Sequence, residues 1–266
     1  MIEITGYFMA LIIGVSLGLI GGGGSILAVP VFAYLFFLDE KISTAYSLFV
    51  VGFAALVGGL RQHSNNNVDW RTAIVFGIPA ILGVWLIRQF VIPILPDVLF
   101  TIQDYEFTRR MGMFGLFAVL MLWAAISMLS PTKSKGGTGK VKYNYPFILA
   151  EGLIVGAITG FVGAGGGFLI IPALVILANL EIKKAIGTSL IIIALKSILG
   201  FFLGDAFSME IDWRFLIIFT ALAIIGIFIG VFIGKFIEGQ KLKKGFGYFI
   251  VVMAVFVFVM EFFVNV

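Results

Sequence analysis

Two short glycine runs are the residues of this chain best placed to do chemistry. The first, Gly21 to Gly24 followed by Ser25, lies in GLIGGGGSILAVP at residues 18–30; the second, Gly163 to Gly167, lies in GFVGAGGGFLIIP at 160–172. Glycine is the most helix-averse residue after proline, yet each run is followed at once by apolar residues that favour helix. A loop of this kind leaves the first N–H groups of the new helix without intrahelical partners and aims the positive end of its dipole outward. Such an end takes anions, and a residue without a side chain lets a small ligand reach the backbone. Gly22, Gly23, Gly24 and Ser25, together with Gly165, Gly166 and Gly167, are therefore candidate anion contacts.

A cation accompanies them. Lys196 lies in GTSLIIIALKSILGFF with apolar residues on both sides, and holding an ammonium there costs about 2.5 kcal/mol or more unless it finds a partner or a polar cavity. Ser189 stands two turns earlier on the same helical face, so Thr188, Ser189 and Lys196 form a polar stripe. Tyr46 and Ser47, in TAYSLF, hold the matching places in the first half of the chain, where Ala54 stands in place of Lys196. The competing account of Lys196 pairs it with a carboxylate such as Glu151, or lets it line a wet crevice.

Other motifs have plainer readings. Gly14-xxx-Gly18, Gly156-xxx-Gly160 and Gly226-xxx-Gly230-xxx-Gly234 suit close helix packing in a membrane. A nucleotide phosphate loop is excluded, because no G-K-[ST] follows either run. Asp69 and Asp212 each precede Trp-Arg and read as helix N-caps, with Trp at the interface and Arg at the headgroups. His63, the sole histidine, reads as a solvated or capping residue. Asp97, Asp104 and Glu106 with Arg109 and Arg110 read as a solvated face of a long loop.

The elements that must position these residues are membrane helices. The chain is 61% hydrophobic and 12% charged, and apolar runs near the roughly 20 residues needed to cross a bilayer recur throughout. They lack the alternation of a β-barrel. The start MIEITGY has Glu3 and no Lys or Arg, which argues against a cleaved signal peptide. With no cysteine, disulfides and thiolate metal sites are impossible. The net charge of +4 is modest and sits in loops, where it orients the chain rather than binding nucleic acid. No cofactor is called for.

The chain also repeats itself. At a shift of 142, Gly14, Gly18, Gly21, Gly23, Gly24, Leu27 and Pro30 fall on Gly156, Gly160, Gly163, Gly165, Gly166, Leu169 and Pro172, and Ser47-Leu48 on Ser189-Leu190. One further residue brings Asp69-Trp70-Arg71 onto Asp212-Trp213-Arg214. The expected fold is an all-α polytopic membrane protein of two homologous halves, 1–130 and 146–266, joined by a flexible linker at 131–145. Each half holds a glycine-broken hairpin or discontinuous helix (6–38 and 147–180) and three plainer helices, at 43–60, 70–91 and 109–130, and at 183–204, 213–237 and 244–264. If each broken segment doubles back, the halves are inverted. Twelve Lys and Arg, from Arg61 to Lys244, then gather on one side against Lys41, Arg88, Arg109, Arg110 and Arg214 on the other. The positive-inside rule favours that arrangement, and both termini fall outside the cytoplasm of a cell-membrane protein.

These residues resemble a known family. GLIGGGGSILAVP, its echo GFVGAGGGFLIIP, G-T-S-L at Gly187–Leu190 and N-x-D-W-R at Asn67–Arg71 look like the sulfite exporter TauE/SafE family of membrane permeases, over nearly the whole chain. The resemblance implies export or uptake of small sulfur-containing anions, such as sulfite or organosulfonates. The expected function is thus a secondary transporter holding its anion at helix N-termini near the midplane. Its partners are that anion and membrane lipid, and a homo-oligomer is compatible. The alternative is an anion channel or a permease for another small organic anion. An intramembrane enzyme would need motifs such as H-E-x-x-H or G-x-S-x-G that this chain lacks.

Overall fold

Helix starts here are set by short polar side chains that accept from a backbone N–H in the first turn. Asp39, Asp69, Thr108 and Asp212 accept from Lys41, Thr72, Met111 and Phe215, at 3.1, 2.8, 3.2 and 3.0 Å. The capping role expected of both D-W-R aspartates is therefore seen. The computed structural model describes residues 2–102, 105–130, 145–163, 166–176, 180–207 and 209–264. The linker expected at 131–145 falls outside them except for its last residue.

In the first half, α1 (Ile2–Ile20) ends at Gly21, a short turn Gly22–Gly24 leads into α2 (Ser25–Pro30), and a π-helical turn Val31–Leu35 prolongs it. Then come α3 (Glu40–Ser64) and α4 (Trp70–Leu86), the latter extended by a π-helical turn at Ile87–Val91. A small antiparallel hairpin, β1 (Val98–Ile102) and β2 (Tyr105–Thr108), precedes α5 (Arg109–Leu129). The second half repeats the order with α6 (Tyr145–Val162), α7 (Gly167–Ile176), α8 (Ile182–Gly200) with a π-helical turn Phe201–Asp205, α9 (Trp213–Gly234) and α10 (Gly239–Val259). Six of these elements are long and apolar enough to cross a membrane, three in each half.

Gly24 lies against Ile13 and Leu17, and Gly6 against the Phe36 ring. Pairing 24 with 13–17 and 36 with 6 means that the first broken segment doubles back as a hairpin.

Helix pairing is preserved when the halves are exchanged. α1 packs on α9 as α6 packs on α4, α3 packs on α9 as α8 packs on α4, and α3 meets α8 and α5 meets α10 across the middle. Glycines set the close pairs, as the spacing predicted: Cβ atoms on Gly14 or Gly156 would run into the backbone at Ala223 or Ala80, its counterpart. The central pair is antiparallel, since Gly52 faces Ile198 while Gly59 faces Ile191. These two helices hold the core, with Val50, Val51, Ala54, Ile192, Ile193 and Ala194 buried. Outward faces are greasy, as along Ile74, Ile78 and Leu82 of α4 and Ile225, Phe228 and Phe232 of α9. Such faces suit lipid rather than water.

One expectation is corrected. The cluster before α5 is not simply a solvated face: Asp97 is exposed, but Arg109 is buried between it and Glu40, with Nη2 2.6 Å from Glu40 Oε1. Arg110 pairs with buried Glu261, which also accepts from Tyr34 at 3.1 Å. Helix starts flanked by apolar neighbours leave these charges little water, so they neutralise one another.

Candidate functional site

The two glycine breaks meet. Gly22 lies against Gly167 so closely that a Cβ on either would strike the other's backbone. Gly21, Gly163 and Gly166 have φ of 67°, 72° and 67°, the left-handed region that glycine alone enters freely. Those three turns let the chain leave one helix and begin the next within a few residues.

Helix α8 runs past both breaks. Ser189 stands against Gly21, Ile193 against Gly167, and the Lys196 ammonium against Gly166. Ser189 and Lys196 thus share a face, as expected, about 10 Å apart along the axis. Lys196 is fully buried and donates to Thr159 Oγ1 at 2.6 Å. Thr159 in turn donates to Gly156 O at 3.1 Å. Among the described residues no carboxylate pairs with Lys196. Glu151, the suggested partner, instead lines a groove of about 250 Å³ with Leu120, Trp123 and Leu169. An ammonium has three donors, so Lys196 keeps two beyond the bond to Thr159. They lie where α7 begins: Leu169 N and Ile170 N both donate to Gly166 O at 3.1 Å, which leaves the amides of Gly167 and Phe168 outside the intrahelical pattern.

The remaining candidates are distributed around this centre. Ser25 Oγ donates to Gly22 O at 2.5 Å and so braces the first break. Gly23 lies against the Phe246 ring, and Gly24 against α1. Gly165 lies outside the described residues. Ser47 is buried, its hydroxyl without a partner among the described residues. Tyr46 and Thr188 face away from the breaks in matching ways: Asp212 N donates to Tyr46 Oη at 2.8 Å, and Asp69 N donates to Thr188 Oγ1 at 2.9 Å. The TAYSL and GTSL segments therefore each hold the D-W-R start of the opposite half.

Arg88 was counted with the loop charges but is buried against the second break. Its Nε donates to Gly160 O and its Nη1 to Asp205 Oδ2, both at 2.8 Å, while Nη2 stands beside Gly163. Its setting, LIRQFVIP, and that of Asp205, GFFLGDAF, are as apolar as that of Lys196. A cation and an acid in separate apolar membrane segments are a signal for a buried pair.

The first break has no such charges, since Leu17 and Ala54 stand where the second half has Thr159 and Lys196. Above it opens a cleft of about 410 Å³ lined by Gly18, Gln62, Asn67, Lys183, Ile186 and Lys235, with no carboxylate in its wall. Ile186 is also the residue against which Gly21 packs.

Six apolar spans among the described residues, with two broken segments that meet beside a buried lysine, describe a multi-pass membrane protein. The sequence profile of the sulfite exporter TauE/SafE family matches residues 7–257, and the chain belongs to that family. It is similar to a probable membrane transporter protein of Xylella fastidiosa, 28% identical over 92% of this chain and 91% of the relative. It is also similar to the probable membrane transporter protein YunE of Bacillus subtilis, 25% identical over 78% and 79%. No solved structure matches the chain significantly.

Proposed function

We propose that this membrane transporter moves small sulfur-containing anions, sulfite or organosulfonates, across the cell membrane by alternating access. The observation that carries the reading is Lys196, fully buried beside Gly166 at the start of α7 and neutralised by no described carboxylate. A compact oxyanion supplies the missing charge and accepts from both the ammonium and the N-terminal amides of α7. The family's description favours sulfite.

In this reading the halves are inverted about an axis in the membrane plane. The hairpin course of the first broken segment leaves three crossings per half, and the antiparallel course of α3 and its counterpart α8 agrees with it. Both termini then lie outside the cytoplasm. Single cysteines at Asn65 and Glu210, in a chain that has none of its own, should react with impermeant reagents from opposite sides; labelling from one side refutes inversion.

The substrate is tested by thermal shift and titration of purified protein with sulfite, sulfate, thiosulfate, sulfoacetate and a carboxylate control. Stabilisation by a sulfur anion, lost in Lys196→Ala, is expected. Indifference to all of them refutes the substrate class.

A further inference from the structure

Arg88 is 2% exposed and sits in the π-helical turn Ile87–Val91; its partner Asp205 sits in another, Phe201–Asp205. The extra residue in such a turn re-aims a side chain, and these turns recur at functional sites. Two guanidinium nitrogens are engaged by Gly160 O and Asp205. The third, Nη2, is buried without a hydrogen-bond partner among the described residues, and a Cβ on Gly163 would lie 2.7 Å from it. A buried cationic N–H left unmade is expensive, and this one is aimed into the second break.

Exchanging the halves reveals what Arg88 fills. Shifts of 142 or 143 relate Gly160 to Gly18, Thr44 to Ile186, Gly204 to Gln62 and Arg88 to Val231. Gly18, Ile186, Gln62 and Val231 all line the cleft of about 410 Å³. At the opposite end Gly204 abuts Arg88 Cβ, and Gly163 abuts both Thr44 and Arg88 Nη2. The first break therefore lies beneath a cleft, and the second lies beneath a guanidinium.

We infer that Arg88 is a second anion ligand at the junction and, through Asp205, the bolt that closes this end of the path. Without an anion, Asp205 and Gly160 O hold the guanidinium across the passage. An anion at Gly163 takes Nη2, competes with Asp205 for the positive charge and loosens the bolt. Lys196 and Arg88 then grip one solute from two sides of the second break, which favours an anion with several oxygens. The inference rests on the anion-transport reading.

The test is titration of the full-length purified protein with sulfite and with thiosulfate. Arg88→Gln alone would strand a buried carboxylate, so the neutral pair Arg88→Gln with Asp205→Asn is compared with Asp205→Asn alone. The double variant should keep its melting temperature and bind the anion about tenfold more weakly or worse, the equivalent of one charge-assisted hydrogen bond. Asp205→Asn, which frees the guanidinium, should tighten binding severalfold. Unchanged affinity in the folded double variant, or unchanged or weaker affinity in Asp205→Asn, overturns the inference and leaves the pair as a brace between α4 and α8. Wild-type protein that binds neither anion refutes the transport reading instead.

Discussion

Replacing Lys196 by methionine keeps an unbranched side chain, shorter only by the terminal nitrogen, and removes its charge, so the perturbation separates binding from folding. An ammonium in the middle of a membrane helix costs roughly 2.5–3.5 kcal/mol on insertion scales. Against this, Lys196 makes one charge-assisted hydrogen bond, to Thr159, worth about 1.5–3 kcal/mol. Thr159 Oγ1 is not orphaned by the change, because it still donates to Gly156 O. The balance is a stabilisation of up to about 2 kcal/mol, a rise in melting temperature of a few degrees for a chain of this size. The account therefore expects Lys196→Met to be as stable as wild type or more so, while losing both transport into proteoliposomes and the thermal shift produced by sulfite. A stability cost at the binding residue is the usual mark of a functional site. A fall of several degrees with the sulfite shift intact would refute the reasoning, since it would make Lys196 a structural residue.

Gly167→Ala should lower stability by about 1–3 kcal/mol, the cost of forcing extra volume into close packing, because its Cβ would strike Gly22; a melting temperature equal to wild type would deny that the breaks touch. Tyr46→Phe and Thr188→Val each remove the acceptor for a backbone amide of the opposite half, and each should cost about 1 kcal/mol or somewhat more, measured as a loss of thermal stability similar in the two variants. Arg109→Ala strands buried Glu40 and should destabilise by about 3–5 kcal/mol, seen as poor recovery of folded protein and relieved by adding Glu40→Gln.

Much of the architecture was legible because membrane helices write their length and polarity directly into the sequence, and because the duplication is spelled out by glycines and D-W-R. Asp69 and Asp212 announced their capping role by position alone. The meeting of the two breaks was less direct: a glycine run marks where a helix is interrupted but not what it meets, and Gly22 lies against a residue 145 positions away. What stayed hidden was pairing over long range. Nothing local in TAYSL or GTSL says that Tyr46 and Thr188 accept from the opposite half's D-W-R rather than from a ligand. Arg88 and Asp205 lie 117 positions apart in sequence, and Arg88, three residues after Trp85 near the end of an apolar run, looks like a charge at a helix end. In the fold it is a core residue, buried in a π-helical turn opposite Asp205, which is buried in another. Arg109 misled for a related reason: a charge beside an acidic loop is indistinguishable in sequence from one plugged between two helix starts.

The central claim is that an anion rests at the second break, between Lys196, Arg88 and the first turn of α7. Selenite shares the shape and charge of sulfite and carries an atom that can be located by anomalous diffraction. Crystals grown with selenite should show selenium beside Gly166 and Gly167, with an oxygen in hydrogen-bond distance of Lys196 Nζ. Selenium bound only elsewhere, with the junction of the two breaks unchanged, would contradict the account.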